Sequence, residues 1–306
     1  MSIIERALNK AKDEKPKSDD STNSVTGVQF DLSGQVNSPI PPAPPIIKLE
    51  ADSDADKEKI LDVRQISNID WDKLAELSFV TPSSNTHSQA EEEYRNIKRP
   101  LINNAFGVGS VGINRSNLIL VTSSVPGEGK TFTAINLALS IANERDKKVL
   151  LIDADVARPS VAKTLGIKAT PGLVEYLEGN DVEFSDIVQK TNMPGLSVIP
   201  AGKQHKHSTE LLNSNKMIIL AQELSDRYPD RIVIFDSPPL LAATQGEVLA
   251  GLVGQVVLVV EAEKTPQSMI MSSVNKLMFC DVVLVILNKI QSNADADHYG
   301  YGLYGN

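Results

Sequence analysis

The chain has 306 residues, of which 41% are hydrophobic and 23% charged, so its composition is that of a globular protein with a sizeable core. Its formal net charge of -9 at pH 7 disfavours binding to nucleic acid through phosphate neutralisation, and we predict no nucleic-acid partner. The single cysteine, Cys280, excludes an internal disulfide and is predicted to be a buried residue without a chemical role.

The N-terminal sequence predicts two segments ahead of any folded domain. Residues 1–12 carry apolar side chains at helical spacing, which predicts a short amphipathic helix. Residues 13–60 are rich in Ser, Asp, Lys and Pro, which predicts a disordered linker. Apolar runs stay shorter than the roughly 18 residues that span a bilayer, and Glu5 and Arg6 are atypical of a signal peptide. We therefore expect a cytoplasmic chain that reaches a membrane only through a partner.

Residues 61–104 predict a helical segment. One apolar stripe, expected to pack on the domain or on a partner helix, consists of Trp71, Leu74, Leu77 and Phe79. Residues 88–105 repeat apolar side chains every three or four positions and predict a helix. Pro100 lies within this pattern, so we expect it to kink or break the helix.

Residues 105–290 alternate short apolar runs with longer helical patterns. Unbroken β-branched runs are typical of strands covered on both faces, which predicts an α/β fold with a doubly wound, mostly parallel sheet. The predicted strands are residues 118–121, 149–152, 196–199, 232–235, 256–260 and 282–287.

A glycine-rich loop between the first strand and the next helix predicts a phosphate site. Residues 123–131 read SSVPGEGKT, which matches the P-loop pattern except that Ser124 replaces its first glycine. Glycine lets backbone N–H groups turn toward phosphate oxygens at a helix N-terminus. A surface turn with a chance lysine is the alternative. The predicted nucleotide-binding residues of this loop are Gly127, Glu128, Gly129, Lys130, Thr131 and Phe132.

Acidic residues follow two other predicted strands. Asp153 and Asp155 come after the second strand, and Asp236 comes after the run 232–235. Because ligands of open parallel sheets bind outside the carboxyl ends of the strands, we expect all three carboxylates to lie near the P-loop. Capping of the helices that follow is the alternative role for each.

The last residues, 291–306, predict a flexible tail that contains a tyrosine cluster. Tyr299, Tyr301 and Tyr304 alternate with glycines, so a fold could not bury them consistently. An extended, exposed segment of this kind suits a phosphoryl acceptor that must enter an active site. A disordered end without this role is the alternative.

Together, the P-loop, the second motif LIDADVARP, the strand end FDSPP and the tyrosine tail resemble the bacterial tyrosine kinases over residues 88–306. The segments EYRNIKRPL from Glu93 and VEAEKTPQS from Val260 resemble the branch associated with exosortase and exopolysaccharide loci. The resemblance implies a P-loop NTPase fold of the MinD/ParA-like type and ATP-dependent autophosphorylation of the tail. It also implies regulation of exopolysaccharide synthesis or export, and a membrane activator of the chain-length-determinant type.

The resemblance also implies roles for single residues. Lys130 would bind the β- and γ-phosphates of ATP, and the catalytic set would be completed by Asp153, Asp155 and Asp236. The residues implied to hold Mg²⁺ are Thr131, Asp153 and Asp236. Asn288 resembles an adenine-contacting position, although a turn residue at a strand end is an equal alternative.

A helix motif implies assembly into a homo-oligomer such as a ring. The family pattern Glu-x-x-Arg-x-x-Arg corresponds to Glu92, Arg95 and Lys98, with Arg99 adjacent. Lysine lacks the planar fork of arginine, so we expect this contact to be weaker or to use Arg99 instead. A solvated, charged helix face is the alternative. The second motif departs from the family too. Ala157 stands where the family pattern Asp-x-Asp-x-Arg has its arginine, and Arg158 follows one position later.

Two rival functions remain open. A MinD- or ParA-like ATPase switch would share the fold, but such proteins usually carry an early P-loop lysine where this chain has Val125. A nucleotide-gated scaffold of a polysaccharide export complex would use the tail only for docking.

Overall fold

The computed structural model describes residues 66–81, 89–107, 110–179, 181–204, 207–228 and 230–290. The predicted N-terminal helix (1–12), the linker (13–60) and the tail (291–306) with its three tyrosines lie outside these residues. Every helix in the described ranges is too short or too polar to cross a bilayer.

Seven strands of the described residues form one sheet in the order β3-β4-β2-β5-β1-β6-β7. Neighbouring strands are parallel except for β3, which runs antiparallel to β4. The predicted doubly wound, mostly parallel sheet is confirmed. The strands are β1 (Leu118–Ser123), β2 (Lys148–Asp153), β3 (Gln189–Lys190), β4 (Leu196–Ile199), β5 (Arg231–Asp236), β6 (Gln255–Glu261) and β7 (Val282–Asn288).

Helices cover both faces of the sheet. Within β1, Leu118 and Leu120 belong to the core on one face, whereas Ile119 and Val121 belong to the core on the other. This two-sided burial explains the unbroken apolar runs of the sequence. The helices are α1 (Trp71–Glu76), α2 (Gln89–Phe106), α3 (Lys130–Ala142), α4 (Val161–Leu165), α5 (Leu173–Glu178), α6 (Phe184–Ile187), α7 (Ser208–Leu211), α8 (Asn215–Arg227), α9 (Gln245–Ala250) and α10 (Gln267–Lys276).

Helices α1 and α2 share a core with the sheet. Leu74 is fully buried, and the Phe79 ring lies 4.7 Å from the Phe132 ring between centroids, as expected for packing on the domain. Leu77 does not join this contact, because about half of its surface is exposed. Of the predicted kink or break at Pro100, the break is wrong, since α2 continues through this residue. Buried side chains on either side, including Leu101, offset the backbone hydrogen bond that proline cannot donate.

The strand order creates a crevice at the carboxyl end of β1. The chain leaves β1 and returns in β2, two positions away, while β6 lies on the other side of β1. Such switch points are where open α/β sheets bind ligands. At the β3 edge of the sheet, Ser67 forms a parallel bridge with Thr191.

Candidate active site at the carboxyl end of the sheet

The loop between β1 and α3 has the backbone that a phosphate cradle requires. Gly127 and Gly129 adopt φ values of +93° and +98°, in the left-handed region that favours glycine. A Cβ atom on Gly129 would lie 2.0 Å from Nδ2 of Asn288, so a side chain there would also displace the Asn288 amide. Helix α3 begins at Lys130 and directs the positive end of its dipole toward this loop.

Lys130 forms an ion pair with Asp155 at this helix N-terminus. Its Nζ lies 2.8 Å from Oδ2 of Asp155, and the lysine side chain is only 14% exposed. Burial alone would lower the pKa of Lys130, but the carboxylates of Asp236 and Asp155 outweigh it and raise this pKa. The ammonium therefore stays charged, as a phosphate ligand must.

Thr131 connects the loop to the end of β5. Its hydroxyl donates a 2.6 Å hydrogen bond to Oδ2 of Asp236, and Ser160 Oγ donates to Thr131 Oγ1 at 3.1 Å. Asp236 is fully buried, and its Oδ1 has no hydrogen-bond partner. Burial raises the pKa of Asp236, against the opposing effects of Lys130 and Thr131.

Asp153 lies directly beside Asp236, its register partner in the sheet. Its Oδ2 accepts backbone N–H bonds from Ser160 and Val161, both at 3.0 Å. Burial and the nearby charge of Asp236 raise the pKa of Asp153. This carboxylate therefore caps the turn that opens α4, the alternative role considered for it, and also belongs to the acidic cluster.

The acidic cluster suits a magnesium–nucleotide ligand. Asp153, Asp155 and Asp236 are buried around one lysine, and a bound divalent cation would favour the ionised form of these carboxyl groups. The unpartnered Oδ1 of Asp236 is a free acceptor inside it. In the described ranges no set of three or more His, Cys, Asp or Glu could hold a metal by itself. Mg²⁺ bound with a nucleotide usually takes one or two carboxylates and completes its shell with phosphates and water.

Glu128 and Phe132, two other predicted nucleotide-binding residues, contact other parts of the protein through their side chains. Both carboxylate oxygens of Glu128 are bonded within the protein, one to the Val125 N–H and the other to Glu261 at the end of β6 and to Thr265. The Phe132 side chain packs against Phe79. Asn288 does lie at the loop, where its Nδ2 donates to the carbonyl oxygen of Glu128 at 2.8 Å.

The sequence interpretation missed residues that contact this site from other loops. Ser160 bonds both Thr131 and Asp153, and it could have been found as the polar residue just before an apolar helical run. Thr265 and Lys289 bond the P-loop from the ends of β6 and β7. Local spacing carries no signal for these two, because their partners lie more than 130 residues away.

The side chains of other predicted residues point away from the site. Glu92 and Arg95 pair with each other on the surface of α2, whereas Lys98 turns inward to the Ser140 carbonyl and Glu144. Arg158 is exposed, and its backbone N–H rather than its guanidinium contacts Asp155. Cys280 is half-buried rather than buried.

This fold and this site define a P-loop nucleotide-binding protein, and the family profile described as an AAA domain matches residues 116–278. The tyrosine-protein kinase YwqD of Bacillus subtilis is 36% identical over 188 residues, covering 61% of this chain and 77% of that protein. The chain belongs to the AAA domain family and, within it, to the bacterial tyrosine kinases.

Two further relatives show how much of a kinase this chain matches. The tyrosine-protein kinase ptk of Acinetobacter johnsonii is 35% identical over 59% of this chain, but the match spans only 24% of that longer protein. The solved kinase domain of the Escherichia coli tyrosine kinase ETK is 30% identical, with a TM-score of 0.61, over 73% of this chain and 84% of that domain. The similarity is therefore to the kinase domain.

Proposed function

We propose that this chain is an ATP-dependent, non-specific protein-tyrosine kinase that phosphorylates its own tail at Tyr299, Tyr301 and Tyr304. One observation carries the proposal: Lys130 and Thr131 begin a helix beside three buried carboxylates at the switch point of a parallel sheet. Relatives that are 35% and 36% identical to this chain are named tyrosine-protein kinases. Three tyrosines near the end of the chain provide an acceptor for the same chemistry.

The loop and the helix start hold the nucleotide in this proposal. Backbone N–H groups of residues 127–132 bind phosphate oxygens, and Lys130 exchanges its ion pair with Asp155 for the β- and γ-phosphates. Asn288, which bonds the loop at the Glu128 carbonyl, is the proposed contact for adenine. Bound Mg-ATP supplies the phosphoryl group, with Thr131, Asp153 and Asp236 as the metal-holding residues. The protein contributes position and charge rather than a covalent intermediate.

Asp153 is the proposed acceptor of the tyrosine proton. A free phenol has a pKa of about 10, so a carboxylate must assist its deprotonation. Asp153 is fully buried beside the phosphate loop, and burial makes this carboxylate a stronger base than an exposed one. Asp155 and Asp236 support the site by holding Lys130 and Thr131.

Assembly and recruitment complete the proposal. We infer a homo-oligomer, such as a ring, in which Glu92 and Arg95 on α2 contact a neighbouring copy. The inward position of Lys98 favours the exposed Arg99 as the third contact. A cytoplasmic chain of this kind would be recruited to the membrane by a chain-length-determinant-type activator and would regulate exopolysaccharide synthesis or export.

The kinase proposal is tested by mass spectrometry of the tail after incubation with Mg-ATP. Wild-type protein should gain phosphate on tail tyrosines, and Lys130→Met should lose it while its circular dichroism spectrum shows that it remains folded. Lys148→Met is a matched control, because it makes the same change at an exposed lysine at the start of β2. ATP hydrolysis with an unmodified tail would favour the ATPase switch, and tail phosphate on Lys130→Met would refute the assigned site.

A further inference from the structure

Glu128 is a buried carboxylate inside a loop that must bind anions. Only 1% of its surface is exposed. Its Oε2 accepts the Val125 N–H at 2.7 Å, and its Oε1 accepts the hydroxyl of Thr265 and, at 3.4 Å, the backbone N–H of Glu261. The side chain therefore joins the start of the loop to the connection between β6 and α10.

A negative charge at this position opposes phosphate binding unless it has a structural use. Burying a carboxylate costs several kcal/mol unless its oxygens are hydrogen-bonded. The donors that satisfy Glu128 come from two separate segments of the chain, so this carboxylate is bonded only while both segments keep their present positions. The contact is therefore suited to fixing the loop rather than to touching the ligand.

The backbone next to Glu128 shows what is being fixed. The carbonyl of Gly127 accepts from Lys289 Nζ at 2.7 Å, and the carbonyl of Glu128 accepts from Asn288 Nδ2 at 2.8 Å. In a trans peptide the C=O and N–H groups point in opposite directions. Carbonyls held toward the end of β7 thus turn the N–H groups of Glu128 and Gly129 away from β7, as a phosphate cradle requires.

The loops that follow β6 and β7 each contain a residue with a strained backbone. Glu263 and Lys289 both adopt φ of +60°, a left-handed conformation that is unfavourable for residues other than glycine. Lys289 also pairs with Glu261 at 3.1 Å, which connects the two loops to each other. The surrounding contacts therefore hold both loops in place around the phosphate loop.

We propose that Glu128 is a positioning residue, which holds the phosphate loop in its binding conformation by bonding Val125 and Thr265. The proposal rests on the nucleotide site of the proposed function. Glu128 acts through the loop geometry, so its removal weakens nucleotide binding although its side chain does not touch the nucleotide.

A double-mutant cycle tests the proposal, with Mg-ADP binding measured by calorimetry. We expect Glu128→Ala to weaken binding by about 10-fold and Thr265→Val by about 3-fold, which lies within the net contribution of an ordinary hydrogen bond. The double variant should bind no more weakly than Glu128→Ala, because Thr265 acts through Glu128. Ser272→Ala is the matched control, since it removes an exposed hydroxyl from α10 that bonds only to Ser268 among the bonds described.

A conservative variant separates positioning from general damage to the fold. Glu128→Gln keeps an acceptor for Val125 N–H and can donate to the Thr265 hydroxyl oxygen, so it should recover most of the affinity. Binding by Glu128→Ala within two-fold of wild type, additive effects in the cycle, or a Gln variant as weak as the Ala variant would each overturn the inference. Wild-type protein that fails to bind Mg-ADP would instead overturn the proposed nucleotide site.

Discussion

The Lys98→Met variant tests whether Lys98 stabilises the fold from within or contacts a neighbouring subunit. Its Nζ donates to the Ser140 carbonyl at 2.7 Å and lies 3.0 Å from Oε1 of Glu144, with 9% of the side chain exposed. Methionine keeps the apolar stem but removes both bonds and a cation at the C-terminal end of α3. Hydrogen bonds to charged groups contribute about 1.5–3 kcal/mol, so we expect a loss of that size in the free energy of unfolding.

Urea and thermal unfolding measure the loss of stability in Lys98→Met, and analytical ultracentrifugation measures any change in its oligomeric state. At about 2–4 °C per kcal/mol for a domain of this size, the melting temperature should fall by roughly 3–12 °C. Glu144→Gln is the control: Glu144 is 38% exposed, so water can replace its pairing and the loss should stay below about 1 kcal/mol. Unchanged stability of Lys98→Met together with a smaller oligomer would refute the internal role and favour the subunit contact.

Two further changes test the phosphate loop and the thiol. Gly129→Ala places a Cβ against Asn288 and should abolish Mg-ADP binding in calorimetry. Gly127→Ala has a similar φ but open space around its Cβ, so it should weaken binding less. Equal losses of affinity in the two variants would show that the close approach of Asn288 is unimportant. Burial, with a smaller effect of Asp281, raises the pKa of Cys280 to about 11, so its thiolate fraction at pH 8 is roughly 100-fold below that of a free thiol. Alkylation followed by mass spectrometry should be correspondingly slow in the native protein and ordinary in denaturant, and fast native labelling would contradict this environment.

The sequence carried most of the fold because the strongest signals are local. Each predicted apolar run lies within an observed strand, since two-sided burial demands continuous apolar residues. The glycines of the P-loop were predictable because a left-handed backbone favours that residue. Strand β3 was missed, because two residues, Gln189 and Lys190, give no periodicity.

Side-chain direction could not be predicted where the partner is distant in the chain. Lys98 fits the surface motif by spacing, yet it bonds Ser140, 42 residues away. Glu128 lies inside a phosphate motif, yet its carboxylate bonds Thr265, 137 residues away. Pro100 shows the same limit for the backbone, because tertiary packing of α2 outweighed its local preference.

The bridge at Ser67 has a consequence for the solubility of the folded domain. Sheets with an open margin can recruit extended segments of other molecules through unpaired backbone groups. Ser67 donates its N–H to Lys190 and accepts the N–H of Asn192, so the peptide ahead of α1 occupies part of that margin. Any shortened version of the chain that starts after residue 67 would leave these groups exposed to foreign strands.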